Sequence, residues 1–284
     1  MPTVTSRQNP IVEKYRRAAR SDDRTLMLLD GVHLVGEALA AGVALVDVAV
    51  ALGAEARPEV AGLMKQLSRA RVPFVGASAT VMAALSPVRS ASPIVALAAR
   101  PSGDLARVYD DGARGLSRAA AALVVIVADV QDPGNLGAIV RVAEAAGATG
   151  VVAAGACADP FGWKALRGSM GSALRLPIQI AAEATRAIAD ARAHGCRVIA
   201  MAPRGGRSLF DADYTQPTAV LIGGEGPGLP AAATDAADER VTIPMQPPVE
   251  SLNAAVTAAL VLYEALRQRT HETHKNTKTT KAKP

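Results

Sequence analysis

Residues 122–130 read ALVVIVADV and turn at once into QDPGNLGAIVR (131–141). A strand that is apolar at odd and even positions alike is buried on both faces, as in a parallel sheet covered by helices on each side. The same rhythm continues outward from it. GVVAAG (150–155), RLPIQIA (175–181), CRVIAMA (196–202), TAVLIGGEG (218–226) and RVTIPM (240–245) read as further strands. Between them lie helical stretches: from about Leu136 to Ala146, around WKALRGSMG, EATRAIADARAHG (183–195) and the long NAAVTAALVLYEALRQR (253–269). Alternation of this kind predicts an α/β domain over 121–270, a parallel sheet with helices on both faces.

Upstream, TLMLLDG (25–31), LVDVAVA (45–51), VPFVG (72–76) and SPIVALAAR (92–100) read as strands alternating with helices. The first helix opens at Asn9-Pro10, a capping residue followed by a helix-initiating proline. A smaller α/β domain over 1–100 follows. PSGDLARVYDDGARGLSRAA (101–120) breaks the pattern with mixed charge, Pro and Gly, and reads as a linker. HETHKNTKTTKAKP (271–284), with four lysines against one glutamate, reads as a disordered basic tail.

Half of the 284 residues are apolar, ample for buried cores, and only 3% are aromatic, so those cores are built from Ala, Val and Leu. Two cysteines, Cys157 and Cys196, make neither a disulfide framework nor a metal set, and no metal is expected. The N-terminal stretch lacks a signal-type apolar core, and no run is long enough to span a bilayer. A soluble, cytoplasmic protein without membrane contact is expected. The net charge of +5 gathers at the two ends, which favours a polyanion such as RNA.

Three loops directly follow apolar strands: DVQDPGNLGAIVR (129–141), GGEGPGLP (223–230) and IPMQPPVESLN (243–253). Ligands of open α/β sheets bind beyond the carboxyl ends of the strands, so the three are candidates for one site. In the first, Asn135 is placed to cap a helix, and Arg141 falls on a different helical face. Alone, each is as ordinary as any capping asparagine or surface arginine. The second resembles a phosphate cradle but fails as one. Glu225 repels a pyrophosphate, and Pro227 and Pro230 lack the N–H donors a cradle needs. A nicotinamide oxidoreductase is therefore a poor fit. In the third, Ser251 or Asn253 caps the final helix, where Val256, Leu260, Tyr263 and Leu266 recur at helical spacing as core or partner interface.

Together these loops resemble the SpoU/TrmH family of RNA ribose 2′-O-methyltransferases, within the SPOUT class. The resemblance lies in D-P-x-N-x-G-x-x-x-R at 132–141, I-G-G-E-G-x-G-L at 222–229 and I-P-M-x-x-x-x-E-S-L-N at 243–253, in that order. ADPFGWKALRGSMGSALRLPI (158–178) looks like the family's intervening segment, and the first domain resembles its small RNA-binding substrate domain. The resemblance implies S-adenosyl-L-methionine as methyl donor, a deep trefoil knot in the C-terminal domain, and a homodimer through that domain. It implies that Gly223, Ile243 and Leu252 hold the cofactor largely through backbone groups, with Met245 as an apolar wall. Arg141 is implied to act on the hydroxyl, with Asn135, Glu225, Ser251 and Asn253 orienting the reacting groups. Arg7, Arg16, Arg17, Lys164 and Arg167 are implied RNA contacts. Ribosomal RNA is the first expectation for the substrate. Transfer RNA, or RNA binding without catalysis, are the alternatives.

Overall fold

The computed structural model describes residues 1–110, 121–224, 226 and 228–281, with side chains as far as residue 271. Ten residues of the expected linker (111–120), Glu225, Pro227 and the last three residues of the tail lie outside the described residues. The chain divides into two compact units, 1–102 with 159–175, and 103–158 with 176–284. The sequence reading instead ran the second domain unbroken from 121 to 270.

The first unit holds strands β1 (Thr3–Val4), β2 (Leu26–Asp30), β3 (Leu45–Ala51), β4 (Val75–Ala77) and β5 (Ile94–Ala99) in the order β1-β4-β3-β5-β2. Strand β5 runs antiparallel to both of its neighbours, β2 and β3, and the β1–β4 and β4–β3 pairings are parallel. Helices α1 (Pro10–Ala19), α2 (Val32–Ala40), α3 (Pro58–Arg69) and α4 (Ala79–Leu85) alternate with the strands. Asn9 caps α1, its Oδ1 accepting from Ile11 N at 3.1 Å, as its place before Pro10 predicts. One face of the sheet (Leu28, Ala49, Val95, Leu97) packs on Val12 and Tyr15 of α1 and Val81, Met82 and Leu85 of α4.

Helix α7 (Trp163–Ser169) belongs to this unit, with Trp163 against that same core. Several contacts fasten the 159–175 segment there. Asp159 pairs with Arg100 and accepts from Ser21 Oγ at 3.0 Å, Arg100 lies over the Phe161 ring, and Arg175 pairs with Glu37.

The second unit is a seven-stranded sheet, parallel throughout. Its strands are β6 (Leu123–Ala128), β7 (Gly150–Ala154), β8 (Ile178–Ala181), β9 (Arg197–Met201), β10 (Arg207–Ser208), β11 (Thr218–Gly223) and β12 (Glu239–Thr242). Their order is β10-β12-β9-β11-β6-β7-β8, so the uniformly apolar β6 is interior, as its sequence requires. Alternate residues of β6 serve opposite faces. Val124, Ile126 and Ala128 join a core with α5 (Leu105–Tyr109), α8 (Ala184–Ala193) and Ala233 of α9 (Ala231–Ala236). The other face is covered by α6 (Pro133–Ala145) and α10 (Ala254–Lys281), which pack on each other. The expected parallel sheet with helices on both faces is thus found.

Two local readings differ. Residues 105–109 of the expected linker form α5, because Leu105, Val108 and Tyr109 share one helical face and bury it in this core. Residues 271–281 of the expected disordered tail continue α10, since neither Gly nor Pro interrupts the chain from 254 to 281. No described helix is long and apolar enough to cross a membrane.

Candidate functional site

Because the second sheet is parallel, the carboxyl ends of neighbouring β12, β9, β11 and β6 lie side by side. A cavity of about 640 Å³ opens there. Its lining includes Gly223 and Gly224 from the end of β11, Ile243 and Met245 after β12, and Ser251, Leu252 and Asn253 before α10. All four residues expected to hold a cofactor, Gly223, Ile243, Met245 and Leu252, therefore line one cavity, together with Ser251 and Asn253.

The glycine loop is folded on itself by a bridge between Gly224 and Gly228. Side chains are excluded at its base by backbone crowding. A Cβ on Gly223 would lie 2.5 Å from Leu229 N and 2.6 Å from the Gly228 carbonyl carbon. One on Gly224 would collide with the Asp129 carbonyl at the end of β6, 2.7 Å from its carbon. These glycines answer to close packing of main chain on main chain. Gly224→Ala is accordingly expected to cost about 1–3 kcal/mol or more through overpacking against atoms that cannot swing away. Gly226 has φ +89° but open space around it, so Gly226→Ala is expected to cost only about 1 kcal/mol. Denaturant unfolding of the two variants checks this, and equal losses would refute the packing argument.

Asp129 itself has φ +56°, and its Oδ1 accepts from Ala156 N at 2.7 Å, tying the loop after β7 to the loop after β6. Helix α6 begins at Pro133, three residues before the expected start, and its cap is Asp132, whose Oδ1 accepts from Asn135 N at 2.7 Å. Asn135 is thus not the cap. Proline at the first helical position puts the cap one residue earlier, and the Asn135 side chain is used elsewhere. Asn253 Nδ2 donates to its Oδ1 at 3.1 Å, joining the first and third loops. Asn253 also caps α10, its Oδ1 accepting from Ala255 N at 2.9 Å and Val256 N at 3.3 Å. Of the two alternatives for that cap, Asn253 takes the role and Ser251 lines the cavity.

Arg141, two turns into α6, is exposed, and no described residue pairs with its guanidinium. Glu225 lies outside the described residues. The five expected RNA contacts, Arg7, Arg16, Arg17, Lys164 and Arg167, all belong to the first unit and are exposed. Lys164 and Arg167 lie over the Trp163 ring, 5.5 and 5.9 Å from its centroid.

The sequence reading missed the β9 side of the cavity, Met201 to Arg204, and the rim residues Thr234 and Arg240. The strand-end rule that selected three loops applies equally to the one after CRVIAMA. Among the described residues no cluster of His, Cys, Asp and Glu suits a metal ion.

Comparison with known proteins agrees with this geometry. Residues 122–263 match the model of the SpoU rRNA methylase family. An uncharacterized tRNA/rRNA methyltransferase of Synechocystis sp. is 34% identical over 271 residues, 94% of this chain and 94% of that protein. The crystal structure of an AdoMet-bound rRNA methyltransferase from Sinorhizobium meliloti superposes with a TM-score of 0.79 at 28% identity, over 93% of this chain and 97% of that one. An RNA 2′-O ribose methyltransferase structure gives a TM-score of 0.75 at 31% identity, over 94% and 99% of the two chains. With two motif loops lining one cavity, the third tied to them through the Asn253–Asn135 hydrogen bond, and these likenesses running the length of the chain, the protein belongs to the SpoU rRNA methylase family.

Proposed function

We propose that this chain transfers a methyl group from S-adenosyl-L-methionine to a ribose 2′-hydroxyl of structured RNA, with ribosomal RNA as the first candidate. The observation that carries the reading is the convergence of Gly223, Ile243, Met245, Ser251, Leu252 and Asn253 on one cavity, joined to the first loop by the Asn253–Asn135 hydrogen bond. The residues present suit the cofactor. At about 640 Å³ the cavity has the size of a small-molecule site. Gly223 and Gly224 present main chain to the cavity, which suits a flat, neutral adenine. Two structural relatives, the AdoMet-bound enzyme and the 2′-O ribose methyltransferase, support the donor and the acceptor respectively.

When bound, the cofactor supplies an electrophilic methyl group on a sulfonium. The chain's own residues then have the acceptor to align and its developing charge to stabilise. Holding two reactants in line contributes as much as roughly 7–11 kcal/mol to such a reaction. Arg141 is assigned the anchoring of the phosphate beside the target ribose and the stabilisation of the forming alkoxide. It is not assigned proton abstraction, because a guanidinium offers only N–H donors and no acceptor for a proton. Asn135, Ser251 and Asn253 orient the hydroxyl and the loops, and Glu225 is given the same role by its place in the second motif. Arg7, Arg16, Arg17, Lys164 and Arg167 hold RNA phosphates, with Trp163 a platform beneath the last two. The C-terminal unit is assigned the knotted path of its family.

The test is transfer of labelled methyl from S-adenosyl-L-methionine into total RNA from a strain lacking this gene, followed by identification of the labelled nucleoside. A 2′-O-methylated nucleoside in ribosomal RNA is expected. Label confined to transfer RNA would favour the second substrate, in keeping with the tRNA/rRNA description of the Synechocystis relative. Base methylation would overturn the ribose assignment.

A homodimer is part of the same proposal. Val256, Leu260 and Tyr263 form an apolar stripe on α10 that is 46%, 41% and 53% exposed, with Leu266 half-buried beyond it. Neighbouring large apolar side chains facing water at helical spacing mark an interface. Leu260→Glu, on the exposed side of the helix, is expected to shift the protein from dimer to monomer in light scattering without loss of helix content. A wild-type monomer at micromolar concentration would refute the assignment.

A further inference from the structure

The described lining of the cavity contains two charged residues, Arg204 and Arg240, and no carboxylate. The two arginines are held differently. Arg240 on β12 is committed to Asp235 of α9, donating to its Oδ1 at 2.6 Å. Arg204 sits in the turn 203–206 that follows β9, and the turn rather than the side chain is fixed. Gly206 N donates to Thr242 Oγ1 at 2.9 Å, and a Cβ on Gly206 would lie 2.8 Å from the Arg240 carbonyl carbon and oxygen. The turn is thus seated against β12 while the Arg204 guanidinium stands at the rim of the cavity. Its described partner is Glu250 at 3.1 Å, with side chains 73% and 79% exposed. An ion pair so open to water contributes little and exchanges readily.

The chemistry of the donor supplies a competing partner for Arg204. Its adenosine is neutral, its sulfonium and α-ammonium are positive, and its α-carboxylate is the one anionic group. The N-terminus of α10, which borders the cavity through Ala254 and Thr257, is a competing anion site. Its Ala255 and Val256 N–H groups are, however, already donated to Asn253 Oδ1. We propose that Arg204 binds the α-carboxylate of the cofactor's methionine end, and that Glu250 holds the same guanidinium at the rim until the carboxylate displaces it. The inference rests on the reading of this cavity as the cofactor site. It makes Arg204 a specificity residue, selecting adenosyl thioethers that carry an amino-acid end over those that lack one.

Calorimetric titration of the full chain tests this with two ligands, S-adenosyl-L-homocysteine and 5′-methylthioadenosine. The second retains the adenosine and sulfur but has no carboxylate. Arg204→Ala is expected to weaken S-adenosyl-L-homocysteine about ten- to a hundredfold, the loss typical of a hydrogen bond to a charged group, and to leave 5′-methylthioadenosine within about twofold. Arg240→Ala is expected to affect both ligands alike. Glu250→Gln, which removes the internal competitor, is expected to tighten S-adenosyl-L-homocysteine and to have no such effect alongside Arg204→Ala. Equal losses for both ligands in Arg204→Ala, no loss for either, or a carboxylate-selective loss in Arg240→Ala would each overturn the proposal. Failure of the underlying reading looks different. In that case the parent protein binds neither ligand, or Gly223→Ala, whose Cβ would push the loop lining the cavity off the Gly228 and Leu229 backbone, leaves both affinities unchanged.

Discussion

Methyl transfer by Arg141→Ala is expected to fall about a hundred- to a thousandfold, the usual cost of losing one donor to a developing oxyanion. Affinity for S-adenosyl-L-homocysteine is expected to stay within about twofold, since Arg141 does not line the cavity. The two readouts separate because α6 presents the guanidinium to solvent, without a described protein partner, while the cavity is built from the ends of β9, β11 and β12. Arg141→Lys tests the role further. A point charge keeps the attraction to phosphate but loses the planar fork that engages a phosphate and an alkoxide together, so only partial recovery is expected. Full turnover by Arg141→Ala would remove this residue from the mechanism. An equal loss of cofactor affinity would recast it as a structural element of the loop.

Arg269→Ala is expected to destabilise the protein by about 3 kcal/mol, as the sum of two unmet, partly buried carbonyls. From α10 this side chain reaches the carbonyls of Ala121, Ala122, Tyr214 and Gln216, fastening the helix to the segments that lead into β6 and β11. Thr218 also donates to Ala122 O and Gln216 O, so among the described residues Ala121 O and Tyr214 O depend on the guanidinium. Burial pushes the Arg269 pKa down to about 10, so the charge is desolvated at a cost that its hydrogen bonds offset. At roughly 2–4 °C per kcal/mol for a chain somewhat smaller than this, the thermal midpoint should drop by about 6–12 °C. Cofactor affinity measured well below the midpoint should be unchanged, since Arg269 is absent from the cavity lining. A midpoint within about 2 °C of the parent would show that water satisfies those carbonyls.

Much of the second unit could be read from hydropathy, because burial on both faces leaves a strand such as 123–128 no polar position. Strand order was not legible. The placement of β12 between β10 and β9 depends on long-range pairing that no local pattern encodes. The capping error at α6 had a local remedy. Asp132 and Asn135 are equally good caps by type, and Pro133 at the first helical position decides between them. Helix α5 was lost inside a charged stretch because five residues give too short a period to count. At the cavity, the motif-bearing loops were visible through their unusual composition. The Pro203-Arg204-Gly205-Gly206 turn looks like any surface turn, and its relation to the cavity appears only once β9 lies beside β11.

The path of the chain also limits how the protein can be taken apart. Because 159–175 packs with 1–102, the backbone passes between the two units three times, after residues 102, 158 and 175. No single cut yields two intact modules. A fragment ending at 102 lacks α7 and leaves the Trp163 side of its core uncovered, with Arg100 deprived of Asp159. A fragment beginning at 121 carries Phe161, Ala165 and Leu166, buried in the whole protein, as an apolar loop without its usual cover, and it also lacks α5. Truncations and domain exchanges within this protein should therefore preserve α7 with the N-terminal portion, for instance by transplanting 1–102 together with 159–175 as one set.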